Sequence, residues 1–369
     1  MKRLFTLLAV ASLLFASCGT KIEEKDYGAE LEKIITDAQV PLIDLEYNTP
    51  SGKIALFAVN GNFYDSTDIA NNRAVAKPAV FQAASLSKVV FAYIVLKAVD
   101  NGDIDLDTPL CNYTSIERFS DKEQAGKLTA RMVLRHRTGL PNWSASPSSD
   151  EWPVSPIEFI FATDSCFGYS GEGFAYLQRA IESIKGKDIE TIAKEEVFLP
   201  LGMTNSSYEW LPQYDSLAVN GYNSEGVNRG QGRHPRANVA YTLRTNASDY
   251  SKFLQAIMEG KGLKPETAAL FFTPDSDRAV RYADNHRECD STVFWGMGIG
   301  MEKNASYGNI MWHWGDNGNF KALFIILPQQ KSTLVYFTNS NHGHDIIDNV
   351  TALMLDEAKP FTLSDWINK

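Results

Sequence analysis

Strand-like patterns lie at both ends of this chain and enclose a long, mainly helical middle, which restricts the folds open to it. Residues 53–64 alternate loosely between apolar and polar side chains, which predicts a strand and hairpin. Residues 96 to about 260 carry helical patterns broken by loops rich in Gly, Pro and Ser. We therefore expect an α/β fold: an antiparallel sheet built from both chain ends, with flanking helices and an inserted, mainly helical domain. The other expected elements are helices at 28–39 and 345–358 and strands at 294–301, 310–314, 321–327 and 332–338.

The composition is that of a globular protein. Hydrophobic residues make up 44% of the 369 residues and charged residues 22%, which excludes a disordered, collagen-like or coiled-coil chain. The 35 Lys and Arg against 45 Asp and Glu leave a net charge of −10 without a basic run, so we expect no nucleic-acid partner. The four Cys are too few for a disulfide scaffold, and the common zinc motifs are missing from the sequence. We therefore expect no metal and no cofactor.

The first residues have the features of an export signal. Two basic residues precede the apolar stretch 4–16, which is shorter than the about 20 residues that a membrane-spanning helix needs. Small residues directly before Cys18 resemble the lipobox of bacterial lipoproteins. The resemblance implies a cleaved signal peptide at 1–17, an acylated Cys18 and a polar tether at 18–27, in an exported lipoprotein that is periplasmic or anchored at the outer membrane. A plain secretory signal with an incidental Cys is the alternative.

Ser85 and Lys88 are the first candidate catalytic residues. They lie three positions apart on a predicted helix, so both project from one face near its N-terminus. A serine hydroxyl becomes a good nucleophile when a neighbouring base removes its proton, and a lysine can be that base when burial lowers its pKa. Lys88 stands directly before the apolar run 89–93, where a solvated charge is not expected. An N-cap serine beside a surface lysine is the alternative.

The segment that contains this pair resembles a known family. Residues 81–88, Phe-Gln-Ala-Ala-Ser-Leu-Ser-Lys, resemble the Ser-x-x-Lys nucleophile motif of serine β-lactamases and penicillin-binding proteins. They look most like the class C branch, which also holds D-alanyl-D-alanine carboxypeptidases, esterases and acyltransferases. Segments 134–141, 200–203 and 246–253 resemble further landmarks in the family's order. The resemblance implies a β-lactamase/transpeptidase-like domain at 28–358, followed by a tail at 359–369.

A second family motif, Tyr-x-Asn, corresponds here to Tyr169-Ser170-Gly171. The resemblance implies that the Tyr169 phenol moves protons at the reacting groups. Gly171 stands where the family has an Asn that holds the amide of the substrate's acyl side chain. We therefore expect weaker recognition of penicillin-like amides and a wider substrate pocket at Gly171. A core tyrosine bonded to a backbone carbonyl is the alternative for Tyr169.

The third segment, 312–316, reads Trp-His-Trp-Gly-Asp and resembles the family's Lys-Thr-Gly strand, which is His-x-Gly in many relatives. The resemblance implies that His313 and Gly315 contact the substrate, with Gly315 allowing a close approach to the strand edge. It also implies an oxyanion hole formed by the backbone amides of Ser85 and Asp316. His313 replaces a Lys, so substrates with a carboxylate are less strongly implied. A histidine packed inside the sheet is the alternative.

These residues together predict a serine hydrolase that forms an acyl-enzyme at Ser85 and acts on an ester or amide. Three other functions remain open: an acyltransferase with a hydroxyl acceptor, a β-lactamase or D-alanyl-D-alanine carboxypeptidase, and a non-catalytic cell-wall or ligand-binding relative. The expected partners are a small ester, amide or peptide substrate and a membrane, reached through the lipid on Cys18. We expect a monomer.

Overall fold

A computed structural model describes residues 25–64, 78–275, 279, 291–357 and 361–368. The predicted signal peptide, Cys18 and most of the predicted tether lie outside the described residues. Within the described ranges, no helix is long and apolar enough to cross a bilayer.

Both ends of the chain contribute to an antiparallel sheet, as the sequence predicts. The strands are β1 (Leu42–Thr49), β2 (Gly52–Val59), β3 (Phe81–Gln82), β4 (Arg244–Thr245), β5 (Val293–Trp295), β6 (Gly300–Asn304), β7 (Gly308–Asp316), β8 (Lys321–Leu327) and β9 (Ser332–Thr338). In the described part of the chain, seven of them form the order β2-β1-β9-β8-β7-β6-β5, and β3 pairs with β4 separately. Strand β1 joins the two chain ends because it pairs with both β2 and β9.

Two features of the sheet differ from the sequence-based expectation. The strand expected at 294–301 is divided into β5 and β6 by a tight turn, in which Gly298 has a φ of +77° and its amide donates to the Gly296 carbonyl. Strand β1 had no predicted counterpart. Its Asp44 and Glu46 are almost fully buried, and these two charged residues interrupt the apolar pattern by which a buried strand is recognised.

Helices cover both faces of the sheet. Helix α1 (Tyr27–Asp37) packs against α11 (Ile347–Leu355) on one face, and α9 (Ala247–Met258) packs against β1 and β9 on the other. The last of the helices that the sequence places in the inserted domain, α9, is thus part of the layer that covers the sheet. The helices are α1 (Tyr27–Asp37), α2 (Ser87–Asp100), α3 (Lys122–Ala125), α4 (Ala130–Leu134), α5 (Gly171–Lys185), α6 (Ile189–Ala193), α7 (Leu199–Leu201), α8 (Tyr214–Leu217), α9 (Ala247–Met258), α10 (Pro265–Ala268), α11 (Ile347–Leu355) and α12 (Leu363–Asn368).

Helix α2 lies at the centre of the molecule. Its side chains are buried on almost every side, from Ser87 through Leu96. A helix that is apolar all round has no face to present to water, so it must be enclosed by other elements. The sheet and the helices of the middle segment enclose α2, and its polar first turn is therefore carried into the interior.

The C-terminal segment contributes to the core, whereas the sequence predicts a tail at 359–369. Trp366 in α12 is fully buried, and its ring centre lies 5.3 Å from that of Trp312 and 6.0 Å from that of Trp295. The indole nitrogen of Trp366 donates to the Ala279 carbonyl at 3.0 Å. Burial of this large aromatic ring stabilises the packing of α12 against the sheet.

Candidate active site

Ser85 lies in a short turn between β3 and the buried helix α2. Residues Ala84–Leu86 form a 3₁₀ turn in which Ala84 has a φ of 47°. This region is unfavourable for a residue with a Cβ, so the surrounding contacts must hold the turn in place. Ser87 supplies two of them, since its hydroxyl donates to the Ala84 carbonyl and accepts from the Leu243 amide at 3.0 Å. Ser85 is thus held in one position by the backbone on either side.

Lys88 approaches Ser85 inside the protein. Its Nζ donates to Ser85 Oγ at 3.2 Å and to the Ala240 carbonyl at 2.7 Å. The side chain is 1% exposed, and this burial lowers the pKa of Lys88 well below its ordinary value of 10.5. Among the described residues, no carboxylate forms an ion pair with it to counter that effect. The geometry therefore favours a neutral amine next to the serine hydroxyl.

Tyr169 lies beside the same amine. The Nζ of Lys88 is 4.8 Å from the centre of the Tyr169 ring. On other sides the ring packs against His136 and Trp314, with ring centres 4.3 Å and 4.9 Å away. His136 Nδ1 accepts the Ser170 amide at 3.1 Å, and burial lowers the pKa of His136 well below its usual range. A neutral, anchored imidazole thus holds Tyr169 close to Lys88.

His313 is placed behind the site rather than on its surface, contrary to the expected substrate contact. It is fully buried, its Nδ1 donates to the Trp314 carbonyl at 2.8 Å, and its ring stacks on that of Trp314. Burial lowers the pKa of His313 to about 3, so it is neutral at ordinary pH. Because β7 is an interior strand, its side chains are covered by neighbours, and Tyr169 and Trp295 lie close to this ring.

Gly315 allows β7 to lie directly against residues 83–86, here called the nucleophile turn because they carry the candidate nucleophile Ser85. A Cβ at this position would overlap the Ala83 carbonyl oxygen and lie 3.3 Å from the Ala322 Cβ. The space that the missing side chain leaves is thus occupied by the chain that leads to Ser85. That Gly315 also contacts the substrate stays a prediction. Asp316, the next residue, lines the same cavity as Ser85, and its carboxylate pairs with Lys321 at 2.6 Å.

The sequence predicts a wider pocket at Gly171, but the structure does not show one. A Cβ at this position would lie 2.6 Å from Cη2 and 2.8 Å from Cε2 of Trp143. The indole of Trp143 therefore fills the space that a side chain at 171 would need. The carboxylate of the next residue, Glu172, is turned away and accepts from Ser144 and from the indole nitrogen of Trp152.

A cavity of about 310 Å³ opens at Ser85. It brings together Ser85, Lys88 and Asp316 from the predicted site. The other predicted site residues, Tyr169, Gly171, His313 and Gly315, are not among the described residues that line it. The other lining residues are Gln82, Asn142, Trp143, Pro147, Arg229, Gly230, Gly232, His234, Ala240, Tyr241, Asn317, Asn319 and Phe320.

Sequence reasoning missed most of this lining, including its polar groups. Asn142 Oδ1 accepts the Gly171 amide at 2.9 Å, and Asn317 Nδ2 donates to Gln82 Oε1 at 2.7 Å. His234 lies 3.2 Å from the same Gln82 oxygen, and burial lowers the pKa of His234 to about 4. One feature of the sequence could have indicated Asn142 and Asn317: they directly follow segments 134–141 and 312–316, which resemble family motifs. Folding alone brings these loops together.

Comparison with known proteins assigns the family. The chain belongs to the Beta-lactamase family, whose model matches residues 46–358. It is a member of the serine β-lactamase and penicillin-binding protein superfamily, and the resemblance noted at 81–88 is confirmed. By name, relatives in this family include hydrolases and acyltransferases.

Three similar proteins give the scale of the likeness. Penicillin-binding protein 4 of Amycolatopsis lactamdurans is 26% identical over 174 residues, which cover 44% of this chain and 45% of the relative. The D-alanyl-D-alanine-carboxypeptidase/endopeptidase AmpH of Escherichia coli (strain K12) is 24% identical over 219 residues, 55% of each chain. This chain thus spans about half the length of these curated relatives. The structure of a D-stereospecific amidohydrolase from Streptomyces sp. matches with a TM-score of 0.73 at 16% identity, covering 89% of this chain and 99% of the other, which shows the fold.

We predict that Gly315→Ala displaces the nucleophile turn, because its new Cβ overlaps the Ala83 carbonyl. Misplacing reacting groups by about 1 Å costs about 100-fold in rate. We expect kcat/KM for an activated ester to fall by about that factor, together with a lower melting temperature. Gly61→Ala is the matched control, since nothing lies within 4 Å of a Cβ there. Full activity in Gly315→Ala would contradict the assigned role of this glycine.

Proposed function

We propose that the protein is a serine hydrolase that cleaves an ester or amide through an acyl-enzyme at Ser85. The observation that carries this proposal is the 3.2 Å contact between Lys88 Nζ and Ser85 Oγ in a buried site. A neutral amine at this distance can take the hydroxyl proton as Oγ attacks. The name of the relative AmpH, a carboxypeptidase and endopeptidase, supports hydrolysis as the overall reaction.

In the acylation step, Ser85 Oγ forms a bond to the substrate's carbonyl carbon while its proton passes to Lys88 Nζ. The carbonyl π electrons move onto the oxygen, which accepts from the backbone amides of Ser85 and Asp316. Each such donor contributes about 3 to 4 kcal/mol in enzymes of this kind. When the oxyanion collapses, the bond to the leaving group breaks. The alcohol or amine departs with the proton that Lys88 carries, with Tyr169 as a relay.

Deacylation repeats these transfers with water. A water molecule gives a proton to the same base and attacks the acyl carbon. The bond to Ser85 Oγ then breaks, Oγ regains a proton, and the free acid leaves. His136 and His313 serve this cycle by remaining neutral, since a charged imidazole near Lys88 would make the protonated lysine still less favourable.

Arg229 is a cation in the lining of the cavity, but two residues of the family motifs favour neutral esters and amides over penicillin-like substrates. His313 is neutral and buried, so the His-x-Gly strand contributes no cation for a substrate carboxylate. Gly171 has no side chain for the amide that penicillins carry, and Trp143 occupies its space. We therefore place general ester or amide hydrolysis ahead of efficient β-lactam turnover.

Ser85→Ala should abolish covalent labelling by a fluorophosphonate probe, because the attacking oxygen is removed. Loss of a catalytic nucleophile typically lowers kcat by 10³-fold or more, so ester hydrolysis should fall by about that much. In-gel labelling and initial rates measure both effects, and circular dichroism verifies the fold. Ser224→Ala, an exposed serine on a loop, is the control. Persistent labelling of Ser85→Ala would refute the proposed nucleophile.

The pH dependence of kcat/KM should follow the protonation state of the Lys88 amine. Only its neutral form accepts the Ser85 proton, so kcat/KM should rise with pH through the lowered pKa of Lys88 and then level off. The midpoint is expected well below 10.5, the ordinary value for lysine. Lys88→Arg should be inactive at every pH, since a guanidinium does not deprotonate in proteins. A rate that rises only near pH 10.5 would rule out the buried neutral amine as the base.

We also propose that the mature protein is a lipoprotein anchored to a membrane through Cys18. Support comes from the apolar stretch 4–16 and the small residues directly before the cysteine. Cys18→Ala should lose incorporation of a palmitate label and move from the membrane fraction to the soluble fraction. A wild-type protein that is secreted without label would instead identify a plain secretory signal.

A further inference from the structure

The side chain of Gln82 lies at the edge of the cavity, three residues before the nucleophile, and is almost fully buried. Its Nε2 donates to the Gln231 carbonyl at 3.0 Å and to the Gly232 carbonyl at 3.3 Å. Its Oε1 accepts from Asn317 Nδ2 at 2.7 Å and lies 3.2 Å from Nε2 of His234. A primary amide has two hydrogens to donate and two lone pairs with which to accept. The protein therefore uses the whole hydrogen-bonding capacity of this side chain and leaves none for a substrate.

The chemistry of these partners fixes the orientation of the Gln82 amide. The two loop carbonyls can only accept, so Nε2 must face them, and the Asn317 amide nitrogen can only donate, so Oε1 must face it. Burial lowers the pKa of His234 to about 4, so its ring is neutral at ordinary pH and must carry its proton on Nε2 to donate to the same oxygen. The loop carbonyls have a second attachment, since Arg244 Nη2 donates to both. Gln82 is thus held in one orientation by a loop that is itself anchored.

Asn317 connects Gln82 to the segment that holds the catalytic amine. Its Nδ2 donates one hydrogen to Gln82 Oε1 and the other to the Tyr241 carbonyl at 3.1 Å. The carbonyl of the preceding residue, Ala240, is the one that accepts from Lys88 Nζ at 2.7 Å. Both hydrogens of the Asn317 amide are therefore used to hold the start of the β7–β8 turn against two other parts of the site.

The Asp316 amide lies between two residues that are held against the nucleophile segment. On one side, Gly315 packs against the nucleophile turn, which carries Ser85. On the other side, Asn317 is bonded to Gln82 in β3, the strand that leads into this turn. An oxyanion hole requires donors at about 2.7 to 3.1 Å from the position of the oxyanion. The bond between Gln82 and Asn317 therefore helps to set the distance between the two amides of the proposed oxyanion hole.

We propose that Gln82 is a positioning residue that, through Asn317, holds the Asp316 amide at the distance from the nucleophile that the oxyanion needs. This inference rests on the proposed acyl-enzyme at Ser85. Gln82→Glu tests it, because glutamate has nearly the size of glutamine but no amide hydrogens. A carboxylate oxygen would then stand where Nε2 lies now, 3.0 Å from the Gln231 carbonyl oxygen, and both atoms could only accept. Their repulsion should turn the side chain away and release Asn317.

The test compares p-nitrophenyl acetate with its thionoacetate, in which sulfur replaces the carbonyl oxygen. Sulfur is larger and accepts hydrogen bonds weakly, so an aligned oxyanion hole favours the oxygen ester. The kcat/KM for the acetate divided by that for the thionoacetate is here called the oxygen-to-sulfur ratio. Gln82→Glu should lower kcat/KM for the acetate by about 100-fold and the oxygen-to-sulfur ratio by about tenfold or more. Gln213→Glu, the same change at an exposed glutamine, is the matched control and should keep both values.

Two glycines of the loop give a second measurement that leaves Gln82 itself unchanged. A Cβ at Gly232 would lie 2.7 Å from Gln82 Nε2, whereas nothing lies within 4 Å of a Cβ at Gly230. Both glycines have a positive φ, +61° and +75°, so both alanine variants carry the same kind of backbone strain. Gly232→Ala should therefore lower the oxygen-to-sulfur ratio more than Gly230→Ala does. This pair answers the question if Gln82→Glu does not fold.

Asn317→Ala removes the same bond from its other end. It should lower the oxygen-to-sulfur ratio by a factor similar to that of Gln82→Glu. The double variant should lower the ratio by less than about twofold further, because two residues that act through one contact are not additive. A double variant whose loss is the product of the two single losses would overturn the link through Asn317.

The outcomes separate this inference from the proposed function. Wild type that is labelled at Ser85 by a fluorophosphonate, with an unchanged oxygen-to-sulfur ratio in folded Gln82→Glu and Gly232→Ala, overturns the positioning role alone. A lower melting temperature with equal losses for the two esters also overturns it, because a purely structural role lowers both rates alike. Wild type without any labelling at Ser85 overturns the proposed function and, with it, the inference.

Discussion

Burial of the Lys88 amine is the constraint on which the rest of the site depends. Taking an ammonium group out of water is costly, and a protein avoids that cost by keeping the amine neutral and hydrogen-bonded. Here the apolar helix α2 carries the lysine inward, and the Ala240 carbonyl and Ser85 Oγ accept its hydrogens. Among the residues that the structure describes, neutral aromatic and imidazole rings rather than carboxylates lie next to the amine, so it stays available as a base.

Two glycines define the shape around that amine, each by leaving space for a different neighbour. At Gly315 the neighbour is the Ala83 carbonyl, so strand β7 and the nucleophile turn meet without a gap. At Gly171 it is the Trp143 indole, so an aromatic ring takes the space that a side chain at this position would need. In close-packed interiors the space left by a missing side chain is normally filled by another group. The identity of that group determines which atoms line the site.

Much of the fold was predictable from pattern. The antiparallel sheet from both ends was confirmed because apolar runs such as 321–327 and 332–338 lie between clear turn residues. Strand β1 was missed because its buried Asp44 and Glu46 carry charge, and α12 was missed because nothing local indicates that Trp366 is covered. At the site, spacing indicated Ser85 and Lys88, and the family resemblance indicated Asp316. Asn142, Trp143 and Tyr241, which line the same cavity, belong to loops with no local signal.

The sequence by itself determined the family, the antiparallel sheet and the serine–lysine pair, since residues three apart on a helix meet whatever surrounds them. Only the tertiary structure decided what surrounds the pair. It placed His313 behind Tyr169 instead of at the surface, and it filled the space at Gly171 with Trp143. The physical reason is that the size and polarity of a cavity depend on contacts between segments far apart in the chain, which no local pattern records.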